Sequence, residues 1–500
     1  MAQGGRALRS ALVPALRTAS LRPSFAAALA PHRRLAASAP ASAPSAASAA
    51  RPGTAAAARA CPTAAPSSVA AAAATASFPP PALRRSFATT AANHNHNNSN
   101  HNNHSTTTTK AAHAAGGNAS ASRWDMSTKV LQHRSAHDPL HATAAPLYQT
   151  ATFGQLHTGA QPYDYTRSGN PTRHSLEALV ASLEGARAGF AFTSGMAALN
   201  AVVRALTGPG DRVVAGEDLY GGLHRLLSFA QRQHGLEVAF ADLTQPAVVA
   251  EAVRPGTRLV FVESPTNPLM KVVDLRAVCA RAHAVGALVC VDSSVMGPAL
   301  MRPHELGADL VMTSATKFLN GHSDVMAGMV TCNDKALAQK LAFVQNAEGA
   351  GLAPFDAWLV LRGAKTLTVR QRTAQRSAEM LAKFLRGHPL IGDVLYLHPE
   401  DARTQPHAQL HFSQASGGGS VLSFVPACGT PDFAQRLLDN VRLFKSSVSF
   451  GSVHSTIEMP ALHSHASIPS EERLLPDALV RISIGLEDVV GGEGGKGDER

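Results

Sequence analysis

The chain has 500 residues, enough for two or three domains and a sizeable core. Its formal charge of +10 points to a polyanion partner only until the charges are placed. Residues 1–124 carry eleven Arg and one Lys with no acid, whereas residues 125–500 carry 33 basic against 35 acidic side chains; this excludes an electrostatic case for nucleic acid, and no apolar run is long enough to span a bilayer.

In chain order, residues 1–92 are rich in Ala, Ser, Pro and Arg and lack acids, the composition of an organelle transit peptide. "NHNHNNSNHNNHSTTTT" (93–109) follows. A His-rich tract can bind metal, but its alternation with Asn and lack of Cys fit a disordered linker, so no metal is expected. Residues 1–124 are thus leader and linker. From about residue 186 strands and helices alternate: "DRVVAG", "TRLVFVESP" and "GALVCVDSS" read as strands. "DLRAVCARAHAVG" reads as a helix closed by Gly286. Near-continuous apolar strands separated by helices imply a parallel sheet covered on both faces, with functional groups at the carboxyl ends of the strands. Residues from about 367 form a second unit with strands "SVLSFV" and "LVRISIGL" and a helix "PDFAQRLLDNV", while "SQASGGGS" reads as a flexible turn. The five cysteines form no CxxC pair, and Cys279 and Cys290 read as reduced, buried small hydrophobes.

Three strand ends carry polar groups: "ESPTNP", Asp292 and "SATK". A lysine at a strand end is ordinarily a solvated side chain, and an aspartate there often caps a turn. Together with other parts they suit a pyridine-aldehyde cofactor, which needs a lysine to link it, an acid to keep its ring nitrogen protonated, an anion cradle and an aromatic ring to stack. Lys317 and Asp292 are the first two. The turn-to-helix junction Ser194-Gly195-Met196 offers backbone N–H groups to a phosphate, although taken alone it is better explained as a simple helix cap, and Tyr220 beside two glycines offers the ring.

"YDYTRSGNPTR" (163–173), "FTSGMAAL" (192–199), "DLYGG" (218–222), "VESPTNP" (262–268), "SATKFLNGHSDVMAG" (314–328) and "VRISIGLED" (480–488) resemble, in order and spacing, the Cys/Met-metabolism family of pyridoxal-phosphate enzymes. The resemblance covers about residues 140–489. It implies an α/β fold of the fold-type I pyridoxal-phosphate transferase kind. An oligomerisation segment (125–172) would precede a large, mostly parallel-sheet domain (173–366), a smaller C-terminal α/β domain (367–489) and a Gly-rich tail (490–500). By motif, Lys317 matches the cofactor-linking lysine, Asp292 the pyridine-nitrogen partner, Ser314, Thr316 and the N–H groups of Gly195 and Met196 the phosphate cradle, Tyr220 the stacking tyrosine and Asn267 the residue near the phenolic oxygen. Tyr165 and Arg167 match residues that reach a neighbouring subunit's phosphate, which implies a homotetramer built as a dimer of dimers. Arg481 matches the arginine that grips the substrate α-carboxylate, with Ser449 and Tyr220 also facing the substrate. His322 is expected to make a structural hydrogen bond. Two departures stand out: Ser293 follows Asp292 where the family carries Asn, and the chain ends "GGEGGKGDER" where the family continues into a helix.

Within the family the resemblance is closest to the plastid β-lyases of plants and green algae, through "QNAEGAGLAPFDAWLVLRG" (345–363) and "SVSFGSVHS" (447–455). It implies an amino-acid substrate, cystathionine, cleaved to homocysteine, pyruvate and ammonia in methionine biosynthesis, in the chloroplast or alternatively the mitochondrion. Sister enzymes acting at Cγ are the alternative, and a non-catalytic cofactor-binding scaffold is a third reading. Val448 bears on the choice: the γ-synthases and cystathionine γ-lyases tend to carry a glutamate there, and valine can neither relay a proton nor pair with an ammonium, although some methionine γ-lyase-like enzymes also have valine but look less like the 345–363 stretch.

Overall fold

The computed structural model describes residues 124–136, 138–154, 162–464 and 473–488. The expected transit peptide, the His/Asn-rich linker and the Gly-rich tail lie outside these described residues.

Seven strands form the first sheet: β1 (Ala188–Phe192), β2 (Arg212–Gly216), β3 (Glu237–Ala241), β4 (Thr257–Glu263), β5 (Leu288–Asp292), β6 (Leu310–Ser314) and β7 (Gly328–Cys332), in the order β1-β7-β6-β5-β4-β2-β3. From β3 to β6 every pairing is parallel, whereas β7 runs antiparallel to both β6 and β1. The chain leaves β6 and returns as β7 without an intervening helix, and a connection without a crossover gives an antiparallel neighbour. Alternation then separates two apolar layers: Val260, Val262, Val289, Val291 and Val311 enter one buried cluster, and Leu259, Phe261, Cys290, Leu310 and Met312 the other. Each such fully buried aliphatic side chain contributes about 1.5–3 kcal/mol, which makes the middle of this sheet a rigid base for whatever its strand ends carry.

Five further strands form a second sheet: β8 (Ile391–Leu395), β9 (Val421–Pro426), β10 (Lys445–Ser446), β11 (Thr456–Glu458) and β12 (Val480–Ser483), in the order β10-β11-β12-β9-β8. Its core takes Leu381 and Leu385 from the helix Leu367–Arg386 and Phe433 and Leu437 from the helix Pro431–Asn440. The expected strands and helices stand within a few residues of their predicted bounds. Gly286 lies one residue past the cap of the helix Leu275–Ala284, in the left-handed region at φ 78°.

One expectation is corrected. "SQASGGGS" is not a plain flexible turn, because Gly417, Gly418 and Gly419 are buried. A Cβ on Gly418 would come within 2.0 Å of the Leu397 carbonyl, and the Gly419 carbonyl accepts the Tyr396 hydroxyl at 3.0 Å. The glycines permit close backbone approach, which composition alone does not separate from looseness.

Candidate active site

Most of the residues singled out above lie at the carboxyl end of the first sheet, where a loop of the second sheet closes over it. Lys317 follows β6 in a tight turn: its N–H donates to the Ser314 carbonyl and its own carbonyl accepts the Gly321 N–H. Thr316 pins the loop by accepting the Ala327 N–H at 2.9 Å. The amine of Lys317 donates to Ser449 Oγ at 2.5 Å and lies 4.7 Å from the centre of the Phe450 ring. Burial, helped by the nearby Arg481 charge and opposed by Glu458 and Asp292, lowers its pKa to about 8. The loop can approach because residue 451 is glycine, at φ 83°; a Cβ there would stand 2.7 Å from the Phe318 nitrogen and 3.2 Å from Lys317 Cα.

Arg481, on β12, is 2% exposed. It pairs with Glu458 Oε1 at 2.7 Å, donates to Asn267 Oδ1 at 3.4 Å and donates to the Ser449 carbonyl. Its Nε and Glu458 Oε2 are buried with no partner among the described residues. Burial pulls the Arg481 pKa down and the Glu458 charge opposes it.

Asp292 ends β5. Burial raises its pKa, against the hydrogen bonds of Ser294 and the charge of Lys317. The Ser294 N–H donates to Asp292 Oδ1 at 2.9 Å, and Ser294 Oγ accepts the Ser314 N–H at 2.7 Å, so Ser294 links the acid to the start of the lysine loop. The departure at Ser293 therefore does not leave Asp292 unsupported: Ser293 is buried, its hydroxyl has no partner among the described residues, and the neighbouring serine makes the contact.

The helix Gly195–Leu206 begins beside β6, with Ser194 Oγ accepting the Ala197 N–H at 3.0 Å. That cap leaves the N–H groups of Gly195 and Met196, two of the orphan donors of a helix start, for another acceptor. A Cβ on Gly195 would lie 3.4 Å from Ser314 Oγ, which brings Ser314 to the same spot. Tyr220 precedes the helix Gly221–His234 with its side chain 41% exposed.

Tyr165 and Arg167 are not drawn into this cluster. Both are exposed, and Arg167 donates to the carbonyl and Oδ1 of Asn346 at 3.0 and 3.1 Å. His322 meets the Asn320 carbonyl at 2.7 Å through Nδ1, a local structural contact. Among the described residues no cluster of three or more His, Cys, Asp or Glu is arranged to hold a metal.

Sequence reasoning missed three residues. Ser294 carries no signal beyond its neighbour, and Glu458 sits in a three-residue strand too short to show a pattern. Glu263 was findable, since it is an acid ending an apolar strand just as Asp292 is, and their Cα atoms are register partners.

Comparison with known proteins agrees with this geometry. The profile described as "Cys/Met metabolism PLP-dependent enzyme" matches residues 127–491. A chloroplastic cystathionine β-lyase of Arabidopsis thaliana is 50% identical over 370 residues, covering 73% of this chain and 78% of the relative. Its counterpart from Mimosa pudica is 47% identical over 368 residues, covering 73% and 79%. The crystal structure of cystathionine γ-synthase from Xanthomonas oryzae pv. oryzae superposes with a TM-score of 0.70 at 38% identity, covering 73% of this chain and 95% of that one. The chain therefore belongs to the Cys/Met-metabolism family of pyridoxal-phosphate-dependent enzymes.

Proposed function

We propose that the protein is a cystathionine β-lyase, cleaving L-cystathionine and water to L-homocysteine, pyruvate and ammonia. The observation that carries the reading is the meeting of Lys317 and Arg481 on Ser449: one amine able to take a proton and one guanidinium able to grip a carboxylate are held by the same residue.

The residues present fit pyridoxal phosphate. A buried acid, a lysine whose amine is eased toward neutrality, and a glycine-started helix meet at the carboxyl end of the sheet. In this reading Lys317 and Asp292 hold the cofactor's aldehyde carbon and ring nitrogen. Ser314, Thr316, Gly195 and Met196 hold its phosphate, and Tyr220 and Asn267 contact its ring and phenolic oxygen. When bound, the cofactor supplies an electron sink that acidifies the substrate Cα–H. In this reading Arg481 would grip the α-carboxylate, Tyr220 would take a proton from the incoming amine, and Lys317, its own amine freed as that amine arrives, would take the Cα proton before the Cβ–S bond breaks. Val448 stands next to Ser449, half exposed and apolar, so chemistry at Cγ that uses a second proton relay from a carboxylate at this position is disfavoured. The names of the 50%- and 47%-identical relatives support the same choice and a plastid location.

We also propose that residues 125–172 serve assembly, with Tyr165 and Arg167 completing a neighbouring subunit's phosphate site in a dimer of dimers. Arg167 lies on the surface, where it donates to Asn346 and its guanidinium stands 5.7 Å from the centre of the Tyr165 ring. Mixed oligomers of Arg167→Ala and Lys317→Ala subunits, each inactive or nearly so alone, should then recover partial activity, because one class of site regains both residues. Verified mixed oligomers without recovery would contradict the shared site.

Neutral lysine is the form that reacts with an aldehyde. Since the Lys317 pKa is lowered to about 8, that form grows as pH rises through about 8 instead of through the ordinary lysine range. The rate at which apoprotein takes up pyridoxal phosphate, followed by its visible band, should rise with pH and level off soon above 8. A rate still climbing steeply near pH 10 would mean an unperturbed lysine.

Product analysis with cystathionine separates the two chemistries. Pyruvate, ammonia and homocysteine should dominate; 2-oxobutyrate and cysteine as main products would overturn the β-lyase reading and leave the cofactor site standing.

A further inference from the structure

Glu263 is the last residue of β4, is 9% exposed, and has no place in the chemistry above. Its two oxygens are used separately. Oε1 accepts the Asn267 N–H at 2.9 Å, and Oε2 accepts the Tyr220 N–H at 3.0 Å. Asn267 lies on the loop after β4, four residues on; Tyr220 lies on the loop after β2, 43 residues back. Asn267 in turn accepts from Arg481 at 3.4 Å, so the same carboxyl group is linked through one side chain to β12.

The position is electrostatically costly. Burial first, and then the charges of Asp292 and Asp218, push the Glu263 pKa well up, and only its two N–H donors oppose this. An apolar side chain would keep the strand end buried without that penalty. What it would lose is the pair of N–H contacts, and both belong to residues placed around the cofactor ring.

We propose that Glu263 is a positioning residue of the cofactor site, a single carboxyl group that fixes the backbones of Tyr220 and Asn267 and so sets the ring-stacking contact and the phenolic-oxygen contact together. This rests on the cofactor placement given above. A plain strand-end acid satisfying its own turn would need only the Asn267 contact; the bond to Tyr220, on a different loop, is what makes Glu263 a link between loops.

The test uses the full-length protein carrying Glu263→Ala, Glu263→Gln, Tyr220→Ala, and Tyr220→Ala combined with Glu263→Ala. Pyridoxal phosphate affinity is read by absorbance titration and cofactor orientation by visible circular dichroism, with far-UV circular dichroism as the check of folding. Glu263→Ala should weaken the cofactor by about ten-fold, the scale expected for losing hydrogen bonds to a buried carboxyl group, and reduce the visible dichroism. Tyr220→Ala should cost less in the Glu263→Ala background than in the parent, because the ring is already released. Glu263→Gln keeps the shape and one acceptor but turns an amide donor toward the other N–H. It should give a smaller loss in the same direction, and it decides the matter if the alanine variant does not fold. A folded Glu263 variant with unchanged affinity and dichroism, or strictly additive effects of Tyr220→Ala and Glu263→Ala, overturns the proposal. A parent protein with no visible cofactor band would sink the cofactor placement itself, whereas a normal parent band beside unchanged Glu263 variants sinks only the role of Glu263.

Discussion

Ser449 holds both cations of the site, its hydroxyl taking the Lys317 amine at 2.5 Å and its carbonyl taking the Arg481 guanidinium, while its own backbone sits in the left-handed region at φ 82°. A non-glycine residue there costs roughly 1–3 kcal/mol, so the conformation persists only because its surroundings impose it. Those surroundings are specific. Phe450 places its ring under both cations, at 4.7 and 5.6 Å, and Gly451 lets the loop press onto the Lys317 backbone. The second sheet is thereby fastened to the first at the lysine itself. The site is a junction between two cores and not a property of either.

Charge balance follows from that junction. Arg481 is fully buried and tolerable because Glu458 pairs with it; removing either partner of such a pair strands the other charge, at a cost of about 3–5 kcal/mol. Among the described residues no carboxylate forms an ion pair with Lys317, and burial and the Arg481 charge move it toward the neutral form that the proposed chemistry uses. On the other side Asp292 and Glu263 lie at paired register positions, and two buried acids side by side disfavour a second negative charge. Asp292 has the better claim to the charge, with Ser294 and Lys317 supporting it. In the proposed function a protonated pyridine nitrogen is the further partner of this acid.

Much of this was legible from residue order, and the exceptions have physical reasons. The strands and the placing of Asp292 and Lys317 follow from apolar runs that end in a charge, a signal that survives without tertiary information. The same signal marks Glu263, which went unread because the motif around it drew attention to Asn267. Arg481 is invisible to such rules: it lies inside a strand of alternating pattern and is recognisable only through family resemblance. Glu458 and Ser294 act through contacts that pattern does not encode. "SQASGGGS" was misread because glycines that permit close packing look the same in sequence as glycines that permit motion. Arg167 is a different case, since a residue assigned to a neighbouring subunit's site has no reason to find its partner within one chain.

In the proposed function Lys317, and no other lysine, carries the cofactor. Reducing the protein with borohydride in the presence of pyridoxal phosphate, then digesting it and mapping peptides by mass, tests this directly. A phosphopyridoxyl group should appear on the peptide containing Lys317, at close to one per chain, and be absent from Lys317→Ala. The same label on a different lysine, or none on a protein shown to be folded, would contradict it.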